Sequence, residues 1–223
     1  MEKMTEIVVV LDRSTSMTQD APEVIAGFNQ FIKQQQVSTE GKAKVTVVLF
    51  DTTDEIWQAG VDIKNFPKLN NKIYVNDGCT ALNNAICKAI DSCASRIEEC
   101  CDCCKPEKVI VLIMTDGQEN SSEFTHQDVK SRIEKYKKEG WEFLFIGANI
   151  DAFATGVNYG LDNHNITNAS KGKGNIAKQF GYANFYCNQV SKGVKSSLIN
   201  YVSNTDVFED KDFENNVQND IGK

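Results

Sequence analysis

Several classes of protein are excluded by what this sequence has little of. Lysine and arginine number 24 against 31 aspartates and glutamates, which gives a net charge of −7, and nowhere do the basic residues form a stripe. Nucleic-acid binding depends on clustered basic side chains that neutralise phosphates, so we predict no nucleic-acid partner. No Gly-x-Gly-x-x-Gly turn follows the first apolar run, and Lys171–Gly174 lacks the frame of a Walker phosphate loop. A bound nucleotide is therefore not predicted.

Long hydrophobic stretches and histidine are also scarce. The apolar run Ile7–Leu11 is much shorter than the ~20 residues that cross a bilayer, and Met1–Glu6 has no apolar core like that of a secretory signal peptide. The two histidines, His126 and His164, do not stand at a recognisable spacing from a nucleophile. We therefore expect a cytoplasmic protein with no membrane segment and no enzymatic activity.

The features that are present describe a single α/β domain. Hydrophobic residues make up 41% of the 223 residues, an ordinary share for a globular protein with one substantial core. The segment after about Asn204 is acidic, rich in asparagine and poor in apolar residues, which is typical of a flexible tail. We divide the chain into one domain over residues 1–203 and a tail over residues 204–223.

The stretch around which the chain is organised runs from Ile7 to Ser16. Ile7–Leu11 is apolar and mostly β-branched, which predicts a fully buried central strand of a parallel sheet. Ligands of open α/β sheets bind just beyond the carboxyl ends of such strands, and here Asp12, Ser14 and Ser16 follow the strand. Alternate residues of a loop can direct their side chains to one side, so these oxygens would converge. Magnesium prefers such oxygen ligands. The alternative interpretation of the two serines is that their side chains cap the next helix.

Asp-x-Ser-x-Ser directly after an apolar strand resembles the signature of the von Willebrand factor type A domain, in particular the small stand-alone type of bacteria and phages. In that family the motif belongs to a metal-ion-dependent adhesion site. The resemblance implies a Rossmann-like, open, mostly parallel sheet with one antiparallel edge strand and helices on both faces. It also implies that two further loops complete the site, through a threonine of Asp77–Leu82 and the aspartate of Thr115–Gly117. The implied metal ligands are Asp12, Ser14, Ser16, Thr80 and Asp116.

Hydrophobic periodicity predicts the remaining elements. Strands are predicted at Val45–Phe50, Asp54–Val61, Val109–Met114 and Trp141–Gly147, with a weak candidate at Asn165–Asn168. The strand at Asp54–Val61 is expected to pair antiparallel at the sheet edge, as the order of elements in the family implies. Helices are predicted at Ala21–Gln36, from Leu82 to Ile97, after the capping box Thr125–Asp128, and from Asn175 to Val194.

Two further acids near the implied site admit more than one interpretation. Asp77 precedes Gly78, and Asp-Gly is a strong turn pair, so we interpret Asp77 as a turn residue rather than a metal ligand. Glu119 lies in the third loop, and two functional roles are open to it: tuning the specificity of the site, or accepting a hydrogen bond from a metal-bound water. The commoner outcome for an acid in such a loop is solvation, which is the interpretation we favour.

Four of the eight cysteines stand in the segment Cys100–Cys104, which contains two overlapping Cys-x-x-Cys pairs. This spacing is compatible with zinc binding or redox chemistry. Four thiolates so close in sequence do not easily close one tetrahedral site, and Cys79 and Cys187 are the remote candidates for a further ligand. We favour a reduced, cysteine-rich helix end in a cytosolic protein.

The resemblance implies a protein-binding function. Asp12 and Asp116 would just neutralise a divalent ion, which then stays electrophilic and accepts an aspartate or glutamate from a partner protein. Magnesium is the favoured ion, with manganese or calcium as alternatives. A second hypothesis is an assembly or adaptor subunit beside an ATPase, in a stress-response system similar to tellurite resistance or in a phage-related system. A third, a metal-dependent phosphohydrolase, needs a second acid at position 14, where this chain has serine.

Overall fold

The computed structural model describes residues 4–39, 42–148, 151–169 and 174–198. The predicted tail, residues 204–223, lies outside the described residues. Within these ranges the strands are β1 Thr5–Asp12, β2 Ala43–Phe50, β3 Asp54–Asp62, β4 Lys108–Thr115, β5 Glu142–Ala148 and β6 Ile166–Ala169. The α-helices are α1 Ala21–Ser38, α2 Leu82–Glu98, α3 His126–Lys138, α4 Ala152–Asn158 and α5 Asn175–Ser191.

The strands form one sheet in the order β3-β2-β1-β4-β5-β6. Neighbouring strands are parallel, except that β2 and β3 pair antiparallel at one edge. Because the chain leaves β1 for β2 on one side and later adds β4 on the other side, the strand order reverses at β1 and β4. The predicted fold class, with its antiparallel edge strand, is confirmed. Asp12 ends β1 and therefore lies at this switch point.

Two hydrophobic cores lie on opposite faces of the sheet. Successive residues of a strand point to opposite faces, so Ile7, Val9 and Leu11 of β1 pack with α1 and α5, whereas Val8 and Val10 pack with α2 and α3. All five side chains are buried. A parallel sheet covered on both faces explains why β1 is an unbroken apolar run rather than an alternating one.

The helix ends follow the local sequence, although one helix was not predicted. The capping box at Thr125–Asp128 is confirmed, because the side chains of Thr125 and Asp128 each accept a hydrogen bond from the other residue's backbone N–H. The last helix ends at Ser191, before the predicted Val194, because Gly193 takes a φ of +87° that breaks the helix. Helix α4 was missed because its two turns bury few side chains and give no apolar repeat.

Close contact between α1 and α5 depends on Gly27. A Cβ placed on Gly27 would lie 2.4 Å from Cδ2 of Phe180, which is itself buried in α5. We expect Gly27→Ala to lower the free energy of unfolding by about 1–3 kcal/mol, because the overpacking outweighs the better helix propensity of alanine. Denaturant titration measures the loss. Adding Phe180→Leu should recover part of it, and a Gly27→Ala protein as stable as the wild type would contradict the contact.

Candidate metal centre

The first loop of the site is organised around the carboxylate of Asp12. The backbone N–H of Ser14 donates to Asp12 Oδ1 over 2.8 Å, and the hydroxyl of Thr115, at the end of β4, donates to Asp12 Oδ2 over 2.5 Å. The Asp12 side chain is fully buried, and this burial raises its pKa even though its hydrogen bonds with Ser14 and Thr115 act to lower it. Since each oxygen has its own donor, the plane of the carboxylate is fixed.

Ser14, Ser16 and Asp116 meet beside Asp12. Ser16 Oγ donates to Asp116 Oδ1 over 2.6 Å, and the Oγ atoms of Ser14 and Ser16 lie 3.1 Å apart. Ser14 and Asp116 are buried, whereas Ser16 is exposed, so the group opens to solvent on the Ser16 side. The alternative that the serines cap the next helix is wrong: Ser14 makes no side-chain cap bond, and α1 begins after Asp20.

The second loop brings Thr80 to the same edge of the sheet. Thr80 is buried, and a Cβ placed on Gly117 would lie 2.8 Å from Thr80 Oγ1, so this hydroxyl lies against the residue that follows Asp116. The backbone N–H of Thr80 donates to Asn120 Oδ1 over 2.9 Å, and the N–H of Asn120 donates back to the Thr80 carbonyl over 3.1 Å. The second and third loops are thus bound to each other.

Several residues that support the loops were missed by the sequence argument. The buried hydroxyl of Tyr74 donates to the backbone carbonyl of Asp12. Arg13 Nε donates to Asp51 Oδ2 over 2.8 Å, and the Asp51 carbonyl accepts from the N–H of Ala81 over 2.8 Å. Asp51 carried a signal, because it follows an apolar strand just as Asp12 does. Tyr74 carried none, since it lies in a stretch without periodicity.

The two neighbouring acids have structural roles. Asp77 holds its turn as predicted, with Oδ1 accepting from the N–H of Gly78 over 2.7 Å, and Gly78 has a φ of +66°. The interpretation of Glu119 as a solvated acid is wrong. Its carboxylate accepts from the N–H of Asn83, in the first turn of α2, over 2.7 Å and from the N–H groups of Ser121 and Ser122. Glu119 therefore ties the third loop to the start of α2, where a negative charge is favourable.

The eight cysteines are free thiols, of which three are buried, four are exposed and Cys100 is half-buried. Cys87, Cys93 and Cys187 are buried, and desolvation raises the pKa of Cys87 and of Cys93 to about 12. Cys187 belongs to the core under α1 and α5, so it does not reach the segment Cys100–Cys104, which follows α2 on the other face. Cys79 is exposed beside Thr80, in the second loop of the candidate site, whereas the segment Cys100–Cys104 precedes the amino end of β4. Neither remote candidate supplies a ligand to that segment.

Fold and site together define an α/β domain in which loops after the strands gather carboxylate and hydroxyl oxygens at the switch point of a mostly parallel sheet. Such donors suit a hard divalent cation. The chain belongs to the von Willebrand factor type A domain family, whose model matches residues 6–220. No curated protein matches the chain in sequence. Among the described residues, no helix is both long and apolar enough to cross a membrane.

Solved structures share this fold at low sequence identity. Proximal thread matrix protein 1 from the mussel byssus is 17% identical, with a TM-score of 0.58 over 82% of this chain and 48% of that one. The vWF domain of the pili tip protein Mfa5 from Porphyromonas gingivalis is 12% identical, with a TM-score of 0.60 over 87% of this chain and 97% of that one. The pilus adhesin SpaC from Lactobacillus rhamnosus GG is 13% identical, with a TM-score of 0.61 over 84% of this chain and 30% of that one.

This chain spans about half the length of the mussel protein. A further structure of that protein, with a TM-score of 0.53 at 17% identity over 82% of this chain and 48% of that one, is described as having a zinc-occupied MIDAS motif, the metal-ion-dependent adhesion site of the family. At these sequence identities the comparisons with solved structures establish only the fold of this chain. The ion or partner that it binds is inferred from its own residues.

Proposed function

We propose that this domain is a metal-ion-dependent protein-binding module, in which a divalent cation at the carboxyl edge of the sheet accepts a carboxylate from a partner protein. The observation that carries the proposal is the bond from Ser16 to Asp116, which joins two motifs 100 residues apart in the chain beside the fixed carboxylate of Asp12. The residues proposed to hold the ion are Asp12, Ser14, Ser16, Thr80 and Asp116.

The donor set fits a hard cation. All five side chains offer oxygen, and none offers the sulfur or imidazole nitrogen that a soft or borderline metal selects. The zinc described for the mussel protein supports a divalent ion in general. For this chain we propose magnesium, because it favours oxygen ligands and retains several waters, with manganese or calcium as alternatives.

The charge of the site explains why a partner would bind there. Asp12 and Asp116 bring two formal negative charges, so a divalent ion is neutralised but keeps an affinity for a further anion. The bound ion would supply a Lewis-acid coordination position for that anion. The exposed residue Ser16 marks the side from which a partner reaches the site. An aspartate or glutamate side chain is the ligand of matching charge and hardness.

We also propose that the module works in the cytoplasm. The eight cysteines are free thiols, four of them in one short surface segment, and free thiols are typical of a reducing compartment.

A melting experiment tests the metal site. A ligand that binds only the native state raises the free energy of unfolding by about 2.7 kcal/mol at one hundred times its dissociation constant. We expect magnesium, manganese or calcium to raise the melting temperature of the EDTA-treated protein. The shift should disappear in Asp12→Asn and persist in Asp77→Asn, which changes an acid of the neighbouring turn. An unchanged melting temperature with every ion, or an equal shift in Asp12→Asn, would overturn the site.

A peptide selection tests the partner's carboxylate. The magnesium-loaded domain is expected to enrich sequences containing aspartate or glutamate from a displayed peptide library, and EDTA should release them. Changing the enriched acid to its amide should abolish binding. Peptides that lack an acid, or that stay bound in EDTA, would contradict the carboxylate step while leaving the metal site standing.

A further inference from the structure

Three thiols gather on the surface where the chain passes from α2 to β4. Cys101, Cys103 and Cys104 are exposed, and their sulfur atoms all lie within 4.8 Å of one another. Cys103 Sγ lies 2.8 Å from Cys101 Sγ and 3.7 Å from Cys104 Sγ. We refer to these residues as the thiol triad. The fourth cysteine of the segment, Cys100, is half-buried and does not belong to this group.

The local backbone explains why the thiols converge. The N–H of Cys104 donates to the carbonyl of Cys101 over 2.8 Å, which closes a tight turn over Asp102–Cys104. The carboxylate of Asp102 does not belong to this group, and its Oδ1 accepts from Lys105 Nζ over 2.8 Å. The turn therefore presents three sulfur atoms and no carboxylate oxygen.

We propose that the thiol triad binds one soft, thiophilic cation, and that Cu(I) is the ion it fits best. Thiolate ligands select soft metals such as Cu(I), and Cu(I) is stable with three of them. Zinc in a structural site takes four protein ligands. In the part of the chain that the structure describes, no fourth cysteine, histidine or acid joins this group. The number of ligands thus favours Cu(I) over zinc.

The spacing of the sulfur atoms suits a three-coordinate ion after a small adjustment. With metal–sulfur bonds of about 2.3 Å, the sulfurs of a trigonal site lie roughly 4 Å apart. The pair Cys103–Cys104, at 3.7 Å, is already close to this value. The pair Cys101–Cys103 has to open by about 1 Å from its 2.8 Å, and rotation of exposed side chains allows this without moving the core.

The thiol triad is separate from the candidate metal centre. It precedes the amino end of β4, whereas Asp116 follows the carboxyl end of the same strand. The eight residues of β4 span about 26 Å at ~3.3 Å per residue. Oxygen donors for a hard ion thus lie at the carboxyl end of β4, and sulfur donors for a soft ion lie near its amino end. The inference is independent of the proposed protein-binding function.

Competition with a chromophoric Cu(I) chelator tests the inference. The whole 223-residue chain, reduced and metal-free, is titrated under nitrogen against bicinchoninate, whose absorbance reports the Cu(I) that the protein does not hold. We expect one tightly bound Cu(I) per chain. Each of Cys101→Ser, Cys103→Ser and Cys104→Ser should weaken binding at least about 100-fold, because three-coordinate thiolate ligation is lost. These positions are exposed, so circular dichroism should show an unchanged fold.

Two control variants make the result specific. Cys79→Ser removes an exposed thiol at the other edge of the sheet, and Asp12→Asn removes a ligand of the candidate metal centre; both should bind Cu(I) like the wild type. The proposal is overturned if the wild type takes no Cu(I) from the chelator, or if the serine variants of the triad bind as tightly as Cys79→Ser. Zn²⁺ displacing Cu(I) in direct competition would overturn the choice of ion. A Cys101–Cys103 disulfide that persists in excess dithiothreitol would also overturn the site.

Discussion

Replacing Arg96 by methionine is expected to lower the free energy of unfolding by about 3–5 kcal/mol, because it leaves a buried carboxylate without its cation. Arg96 of α2 donates to Glu6 Oε1 over 2.6 Å and to Glu6 Oε2 over 3.3 Å, and Glu6 of β1 is fully buried. After the substitution, the hydroxyl of Thr46, 2.9 Å from Glu6 Oε1, is the remaining side-chain donor in the bonds described. Denaturant titration at neutral pH measures the loss.

A matched variant separates burial from the mere loss of an ion pair. Arg132 of α3 lies 2.9 Å from Asp91, whose side chain is 50% exposed. Arg132→Met should cost about 0–1 kcal/mol, since the Asp91 carboxylate that loses its partner remains exposed to water, unlike that of Glu6. Combining Arg96→Met with Glu6→Gln removes both charges and should recover much of the stability. Equal losses in Arg96→Met and Arg132→Met would contradict the explanation by burial.

The Arg96–Glu6 pair also fixes how the edge strand joins the sheet. Thr46 Oγ1 accepts from Arg96 Nη2 over 3.1 Å and from the N–H of Gly60 over 2.9 Å. Gly60 lies in β3 with a φ of +59°, where the pairing of β2 and β3 shifts register. A Cβ placed there would lie 2.6 Å from the guanidinium, and the φ of +59° strains any residue with a side chain, so both observations favour glycine at this position.

The Arg96–Glu6 pair is a contact that the sequence did not predict, although the sequence predicted the strands around it. The apolar runs predicted the strands and their burial correctly, because a covered parallel sheet requires unbroken hydrophobic segments. Glu6 was placed in a polar amino-terminal segment, yet the first strand begins at Thr5 and buries it. Its partner Arg96 is 90 residues away in the chain, and a local sequence pattern does not predict a contact over that separation.

In the candidate site, too, some residues were predicted from the sequence and others were not. Asp12, Ser14 and Ser16 directly follow an apolar strand, so the sequence indicates them by itself, whereas Thr80 and Asp116 are implied by the resemblance to the family. Thr115 and Tyr74 donate hydrogen bonds to Asp12, and Glu119 accepts one from the start of α2. Contacts of this kind depend on which strand ends and loops become neighbours, which the fold decides. The residues that orient a site are thus harder to predict than those that form it.

Thr115→Val is expected to weaken magnesium binding about 10- to 100-fold, the usual effect of removing a group that orients a metal ligand. The Thr115 hydroxyl donates to Asp12 Oδ2 over 2.5 Å. Valine has nearly the same shape but no hydroxyl, so the buried carboxylate loses the Thr115 donor to its Oδ2 atom. Isothermal titration of the EDTA-treated, dialysed protein measures the dissociation constant, on the premise that Asp12 is a metal ligand.

Thr115→Ser is the control that distinguishes orientation from packing. Serine keeps the hydroxyl and loses only the methyl group, so its dissociation constant should stay within a few-fold of that of the wild type. If valine binds magnesium as tightly as threonine does, the hydroxyl does not orient Asp12. If the serine variant binds magnesium as weakly as the valine variant does, the methyl group of Thr115 is required for binding, and the site depends on the packing of β4. Weak binding by the valine variant together with normal binding by the serine variant assigns the effect to the Thr115 hydroxyl, which donates to Asp12 Oδ2 and also accepts from the N–H of Gly117 over 3.2 Å.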